Sequence, residues 1–148
     1  MNTNVKEWLN ERFTRPFIKA SNALVIHGDS GTGKSVAAAL IAREMESGRT
    51  WFTGPHGFKR ILQSRAIEYC HIAIVDDIQT NDVEKIKSLI SNRFALIELL
   101  GEEPYSAAFN VNFVLTTRDT LPESRRFICA TPMEVFATIA NLPRGDAR

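Results

Sequence analysis

Gly28-Asp29-Ser30-Gly31-Thr32-Gly33-Lys34-Ser35 matches the pattern G-x-x-x-x-G-K-[ST] at every specified position. Glycines lack a Cβ, so the backbone can turn sharply and aim its N–H groups at one point. A helix beginning near Lys34 directs the positive end of its dipole at the same point. Lys34 adds a full positive charge for β and γ phosphates, and the Ser35 hydroxyl suits Mg²⁺. Together these parts make a cradle for a polyphosphate. The plain alternative is a Gly-rich turn between a strand and a helix. A chance match in a chain of this length is on the order of one in a few hundred, and its flanks, an apolar run and an Ala-rich segment, suit the motif.

A second chemical signal is Ile72-Ala73-Ile74-Val75-Asp76-Asp77, where two carboxylates stand at the end of an apolar run. A lone Asp in such a place is ordinarily a turn residue or helix cap, the role given to Asp82. With a phosphate loop upstream, Asp76 is expected to hold Mg²⁺ through its water shell, opposite Ser35. Asp77 is expected to polarise an attacking water. That second acid argues for hydrolysis over a small-molecule kinase, which needs a hydroxyl acceptor instead.

These residues need a scaffold, and the apolar runs supply one. Ala23–His27, Thr50–Thr53, His71–Val75, Phe113–Thr117 and Phe127–Cys129 read as strands. Helical spacing marks Val5–Phe13, Ser35–Met45, Phe58–Ala66, Val83–Ile90 and Met133–Ile139. Ala95–Leu100 and Tyr105–Phe109, joined through Gly101-Glu102-Glu103-Pro104, suggest a β-hairpin. Strands alternating with helices predict an α/β fold with a largely parallel five-stranded sheet flanked by helices. The expected organisation is a helical extension over 1–20, the main domain over 21–142 and a tail over 143–148.

Composition narrows the field. The 148 residues carry 18 Lys+Arg against 17 Asp+Glu, so charge gives no case for a histone-like binder or a polybasic membrane peptide. Their 44% apolar content is enough for a core. The longest apolar stretch, Val36–Ala42, is too short to span a bilayer, and the N-terminus has no apolar leader. A soluble cytoplasmic domain is expected, with Cys70 and Cys129 as buried, reduced thiols.

From Ala23 to Thr131 the sequence resembles AAA+-type P-loop ATPases, and more narrowly the superfamily 3 helicases of small viruses, plasmids and prophages. Gly28–Ser35 corresponds to their Walker A loop and Ile72–Asp77 to Walker B. A helix, a hairpin and a strand ending in a polar sensor follow there, as Val83–Ser91, Ala95–Phe109 and Phe113–Thr117 do here. Ser124-Arg125-Arg126-Phe127 is similar to the Arg-Arg-Phe element of virulence-associated E-like primase-helicases, whose arginine reaches the neighbouring subunit's nucleotide.

The resemblance implies a P-loop NTPase core binding ATP and Mg²⁺, a homo-oligomeric ring, most simply a hexamer, and single-stranded DNA as partner. It implies that Asp29, Ser30, Gly31, Thr32 and Gly33 wrap the phosphates beside Lys34. It makes Thr117 the sensor and Arg125 or Arg126 a finger, against the plain reading of two solvated charges. Two departures stand out. The fourth strand ends Thr116-Thr117-Arg118 where the family has asparagine, which leaves the sensor role to Thr117 or turns Arg118 elsewhere. The hairpin tip carries Glu102 and Glu103 where helicases present cations to DNA. DNA contact then moves to residues such as Lys59 and Arg60, or translocation is weak.

Other residues read as structural: His27, His56 and His71 share no ligand spacing, and Lys85 and Lys87 are expected in solvent. The alternatives to a helicase motor are a helicase loader or regulatory ATPase without unwinding, and a nucleotide-binding scaffold with slow turnover.

Overall fold

The computed structural model describes residues 3–16, 18–45, 49–52, 63, 65 and 70–142. The helix expected over Phe58–Ala66, the residues Lys59, Arg60 and His56, and the tail over 143–148 lie wholly or mostly outside the described residues.

Helix α1 (Thr3–Thr14) precedes strand β1 (Ala23–His27), which leads into helix α2 (Lys34–Glu44). Then come β2 (Arg49–Phe52), β3 (Ile72–Val75), α3 (Val83–Ser91), β4 (Phe94–Ile97), β5 (Tyr105–Ala108), β6 (Asn112–Thr117), β7 (Phe127–Ala130) and α4 (Pro132–Ala140). Five strands form one sheet in the order β2-β3-β6-β1-β7, every pair parallel. β4 and β5 form a separate antiparallel hairpin. The α/β architecture with a parallel sheet agrees with the sequence pattern.

Side chains alternate across a strand, so each apolar run feeds two faces. Ala23, Val25, Ala73, Val75, Phe113 and Leu115 share one core with Val83, Ile86, Leu89 and Ile90 of α3 and with Ala95 and Ile97 of the hairpin. Leu24, Ile26, Ile72, Ile74 and Val114 share the other with Ala37, Ala38 and Ile41 of α2 and Val135 and Ile139 of α4. Val5, Trp8 and Leu9 of α1 belong to this second core as well. Coverage on both faces is why these strands read as continuous apolar runs rather than alternating ones.

Helix boundaries follow from local chemistry. The Thr131 hydroxyl accepts the Glu134 amide while Glu134 accepts the Thr131 amide, a capping box with Pro132 just inside it. α3 buries Val83, Ile86, Leu89 and Ile90 at helical spacing and turns Glu84 and Lys85 to solvent. Lys87 departs from the expected exposure: its stem is half-buried and its ammonium lies 5.9 Å from the Phe127 ring centroid. Cys129 also corrects the sequence reading, since β7 is an edge strand and Cys129 is exposed on it, whereas Cys70 is buried.

Polar side chains fasten the segment after α1. Arg12, nearly inaccessible, donates to the Ile18 carbonyl and to Asn112 Oδ1, each at 3.1 Å. Lys19 donates to the carbonyls of Leu89, Asn92 and Phe109 and stacks 4.3 Å from the Phe109 ring. Burial first, then the charge of Arg93, lowers its pKa from 10.5 to about 8. Among the described residues no helix is long and apolar enough to cross a membrane.

Candidate nucleotide-binding site

Parallel register brings three strand ends to one edge of the sheet. His27 aligns with Thr117, and Val75 with Leu115, so Gly28, Asp76 and Thr116 emerge together. Open parallel sheets bind ligands at such carboxyl ends. A cleft of about 550 Å³ opens there, lined by Ser30, Gly31, Gly33–Val36, Asp76, Asp77, Thr116 and Arg118.

The loop 28–33 runs from β1 straight into α2. Gly31 and Gly33 have φ of 82° and 94°, a left-handed backbone that glycine adopts without steric penalty. Gly28 is required for a different reason: a Cβ there would stand 2.7 Å from Thr32 Oγ1. That hydroxyl donates to the Asp29 carbonyl at 2.7 Å and tightens the loop. The Lys34 ammonium donates to the carbonyls of Gly28 at 2.6 Å and Asp29 at 2.9 Å. An ammonium has three donors, so one remains for a ligand oxygen.

Across the cleft the Ser35 hydroxyl lies 3.1 and 3.2 Å from the two Asp76 carboxylate oxygens. The Thr116 hydroxyl donates to Asp76 Oδ1 and accepts the Asp77 amide at 2.7 Å. Asp77 has φ 62°, a left-handed conformation that Asp tolerates better than most residues. Its side chain is exposed.

The donor set fits a nucleotide and a hard divalent cation. A hydroxyl and a carboxylate converge, glycines clear space for backbone amides, and a lysine stands behind them. Among the described residues no group of three or more His, Cys, Asp or Glu could hold a metal. A hydroxyl and a carboxylate are oxygen donors of the kind a hard cation such as Mg²⁺ takes alongside phosphate and water.

The sequence-predicted residues divide. Gly28 to Ser35, Asp76 and Asp77 come together at the strand ends; Asp29 and Thr32 brace the loop from behind. Thr117 does not reach the cleft. It is fully buried, and its hydroxyl donates to the Ile78 carbonyl at 2.8 Å while accepting the Asp119 amide at 3.0 Å. Arg126 donates to the Lys87 carbonyl at 2.8 Å, and Arg125 lines a hollow beside Glu7, Trp8 and Glu11. Neither arginine lines the cleft of its own chain.

Two residues of the cleft carry roles the sequence reading did not give them. Thr116 touches both acids; only the cross-strand register says which of the two adjacent threonines does so. Arg118 lines the cleft, with Nη1 3.5 Å from Ser30 Oγ. Its signal was its place directly after β6. The acidic hairpin tip is half-neutralised, since Arg65 lies 2.9 Å from Glu102.

Residues 26–126 match the family described as "Family of unknown function (DUF5906)". That match spans more than half of the chain, and the chain belongs to the family. No curated protein matches it. Among solved structures, the chain is similar to the apo C-terminal region of NrS-1, with TM-score 0.64 and 16% identity over 86% of this chain and 32% of that one. It is also similar to the JCV helicase, with TM-score 0.56 and 13% identity over 86% of this chain and 41% of that one. At such identities the likeness is one of fold, and the chain spans well under half of either neighbour.

Proposed function

We propose that this member of the family is the Mg²⁺-dependent, ATP-hydrolysing core of a superfamily 3-type DNA helicase, acting in the cytoplasm in the replication of a virus or mobile element. The observation that carries the reading is the meeting of Ser35 and Asp76 across a cleft backed by Lys34. A P-loop NTPase core with an AAA+-like sheet accounts for that meeting, and the fold likeness to a helicase supports it.

Amides of residues 30–35 and the Lys34 ammonium would bind the phosphates, with Ser35 and Asp76 holding the cation. Mg²⁺ held there would neutralise charge on the phosphates. Asp76 is held in place by the Thr116 hydroxyl, and Asp77 would orient water and accept its proton. Most of the work assigned to these residues is positioning and charge stabilisation. Arg125 or Arg126 would act on a neighbouring protomer's nucleotide within a ring, most simply a hexamer.

A second reading keeps the ATPase and drops unwinding: a helicase loader or regulatory ATPase. The hairpin favours it. Glu103 repels a phosphate backbone and Glu102 is already paired with Arg65, while Phe94, Leu96 and Leu100 lie exposed, as suits a protein partner. Measuring ATP turnover against protein concentration, with and without single-stranded DNA, separates the readings. A helicase motor gives turnover per chain that climbs with concentration and rises several-fold with DNA. Stimulation by concentration alone selects the loader. No turnover under any condition leaves the slow nucleotide-binding scaffold.

A further inference from the structure

We infer that the outer face of the β4–β5 hairpin is a self-complementary surface on which a second copy of this chain docks antiparallel, the tip of each hairpin over the root of the other. None of its residues lines the cleft, so the inference stands apart from the nucleotide reading.

Three observations carry it. The first is an uncovered apolar strip. Side chains alternate across β4, so Ala95 and Ile97 face the core while Phe94 and Leu96 face outward, 68% and 50% exposed. Opposite them β5 presents Ala108 and Ser106, small residues that leave the larger two standing clear. Beyond the end of β4, Leu100 is wholly exposed. Adjacent exposed apolar side chains mark an interaction surface, whereas scattered ones do not.

The second is a charge gradient along the hairpin. Arg93 and Lys19 stand at the root, and Glu98, Glu102 and Glu103 stand toward the tip. Arg93 is close enough to Lys19 to disfavour its charge, and among the described residues no carboxylate lies within ion-pair distance of either. Glu102 is paired with Arg65, while among the described residues no cation pairs with Glu98 or Glu103. From root to tip the face therefore reads positive, apolar, negative. Rotated half a turn about its middle, it reads negative, apolar, positive, which is its own complement. A two-fold contact between identical chains requires that property.

The third is a receptacle at the root. A hollow of about 690 Å³ opens there, walled by Arg93, Lys19, Ile18, Ala108 and Phe109 and, among the described residues, by no carboxylate. Ala108 belongs both to the outer strip and to this hollow, so the two are continuous. Oily walls with both cations suit a segment that brings an apolar side chain beside an acid. The tip, Leu100-Gly101-Glu102-Glu103, is such a segment. DNA is the poorer occupant, because the same face carries the acids.

The contact is small. A standard interface takes about 20–30 residues a side and one face of this hairpin supplies fewer, so the pair is expected to be weak, with Kd on the order of 10 μM. While it lasts, both hairpins are withdrawn from other partners.

Sedimentation of the full chain without nucleotide, over concentration and at low and high salt, tests the pairing. Wild type is expected to pass from one copy to two, and to dissociate as salt screens the exposed charges. Arg93→Glu and Glu103→Lys should each weaken pairing about tenfold or more, because each puts like charges together at both ends of the contact. Mixed in equal amounts, the two variants should pair with each other about as tightly as wild type, since each mixed pair regains opposite charges at both ends. Leu100→Ser should weaken pairing as well. All three sites are exposed, so urea unfolding should match wild type and set lost contact apart from lost fold. A wild type that stays single well above that Kd, assembly indifferent to both charge changes, growth past two copies through this face, or a mixture that fails to recover overturns the inference.

Discussion

Ser35 and Asp76, separated by 41 residues in the chain, hold each other across the cleft through a hydroxyl 3.1 Å from a carboxylate oxygen. Neither is placed by the other. Ser35 is set by the first turn of α2, and Asp76 by the end of β3 and by Thr116. A pair held from two independent elements keeps its spacing while the ligand between them changes, which is what metal-assisted phosphoryl chemistry needs.

Thr116 holds both acids with one hydroxyl, so Thr116→Val keeps the shape and removes two hydrogen bonds. The part-buried Asp77 amide loses its acceptor, and stability should fall by about 1–3 kcal/mol in urea unfolding. ATP turnover should fall on the order of 10²-fold, the scale of a small misplacement. Thr116→Ser restores the hydroxyl and should return most of both. A Val variant with undiminished turnover would remove Thr116 from this role.

Asp77→Asn separates charge from backbone, because Asn tolerates φ near 62° about as well as Asp. The variant should bind nucleotide like wild type and hydrolyse it roughly 10²-fold more slowly, the scale of general-base loss. Normal hydrolysis would reassign the water-activating role.

Gly28→Ala would place a methyl 2.7 Å from Thr32 Oγ1. Either the Thr32 hydroxyl gives up its bond to the Asp29 carbonyl or the loop shifts, and nucleotide affinity should drop about tenfold or more. Thr32→Ala removes the obstructing hydroxyl, so the double variant should bind better than Gly28→Ala alone. If the second change gives no recovery, the close approach of Gly28 to Thr32 is not what requires the glycine.

Lys19 predicts a pH dependence of stability. Its pKa is about 8 in the folded chain, against an ordinary value of 10.5, because burial and Arg93 disfavour its charge. Below about pH 8 both states carry the proton, and its contribution is constant. Between about 8 and 10.5 the unfolded chain binds more protons, so stability from this group rises with pH. Unfolding free energies of wild type relative to Lys19→Met should therefore climb across that window and stay level from pH 6 to 7.5. A difference that falls with rising pH would contradict the burial of a charged Lys19.

Much of the scaffold was legible because its strands are covered on both faces. Ile72–Val75 and Ala23–Ile26 needed no alternation to be read, and the glycines, Lys34 and the acid pair stood at the ends of those runs. What was not legible depends on register and on distant partners. Thr116 and Thr117 look alike in sequence; pairing of Val75 with Leu115 turns one toward Asp76 and the other under Ile78. Cys129 sits in an apolar run but on an edge strand, where only one flank is covered. Lys19 belongs to no motif, and its three carbonyl acceptors come from residues 70 to 90 positions away. Arg118 could be counted as a departure from the helicase pattern, but its place at the cleft depends on clasps between residues 39 positions apart, Thr117 with Ile78 and Asp119 with Thr80.

The β4–β5 hairpin shares no ladder with the five-stranded sheet and rests on it through oily contacts such as Ile97 and Phe109. Its root is another matter, for Lys19 grips the carbonyls of Asn92 and Phe109 just outside the two strands. A flap that is bolted at its base and merely greased along its length swings most cheaply about that bolt. Tilting it slides methyl groups past one another and ruptures no ladder with the main sheet, so what opposes the swing at the far end is the ion pair between Arg65 and Glu102.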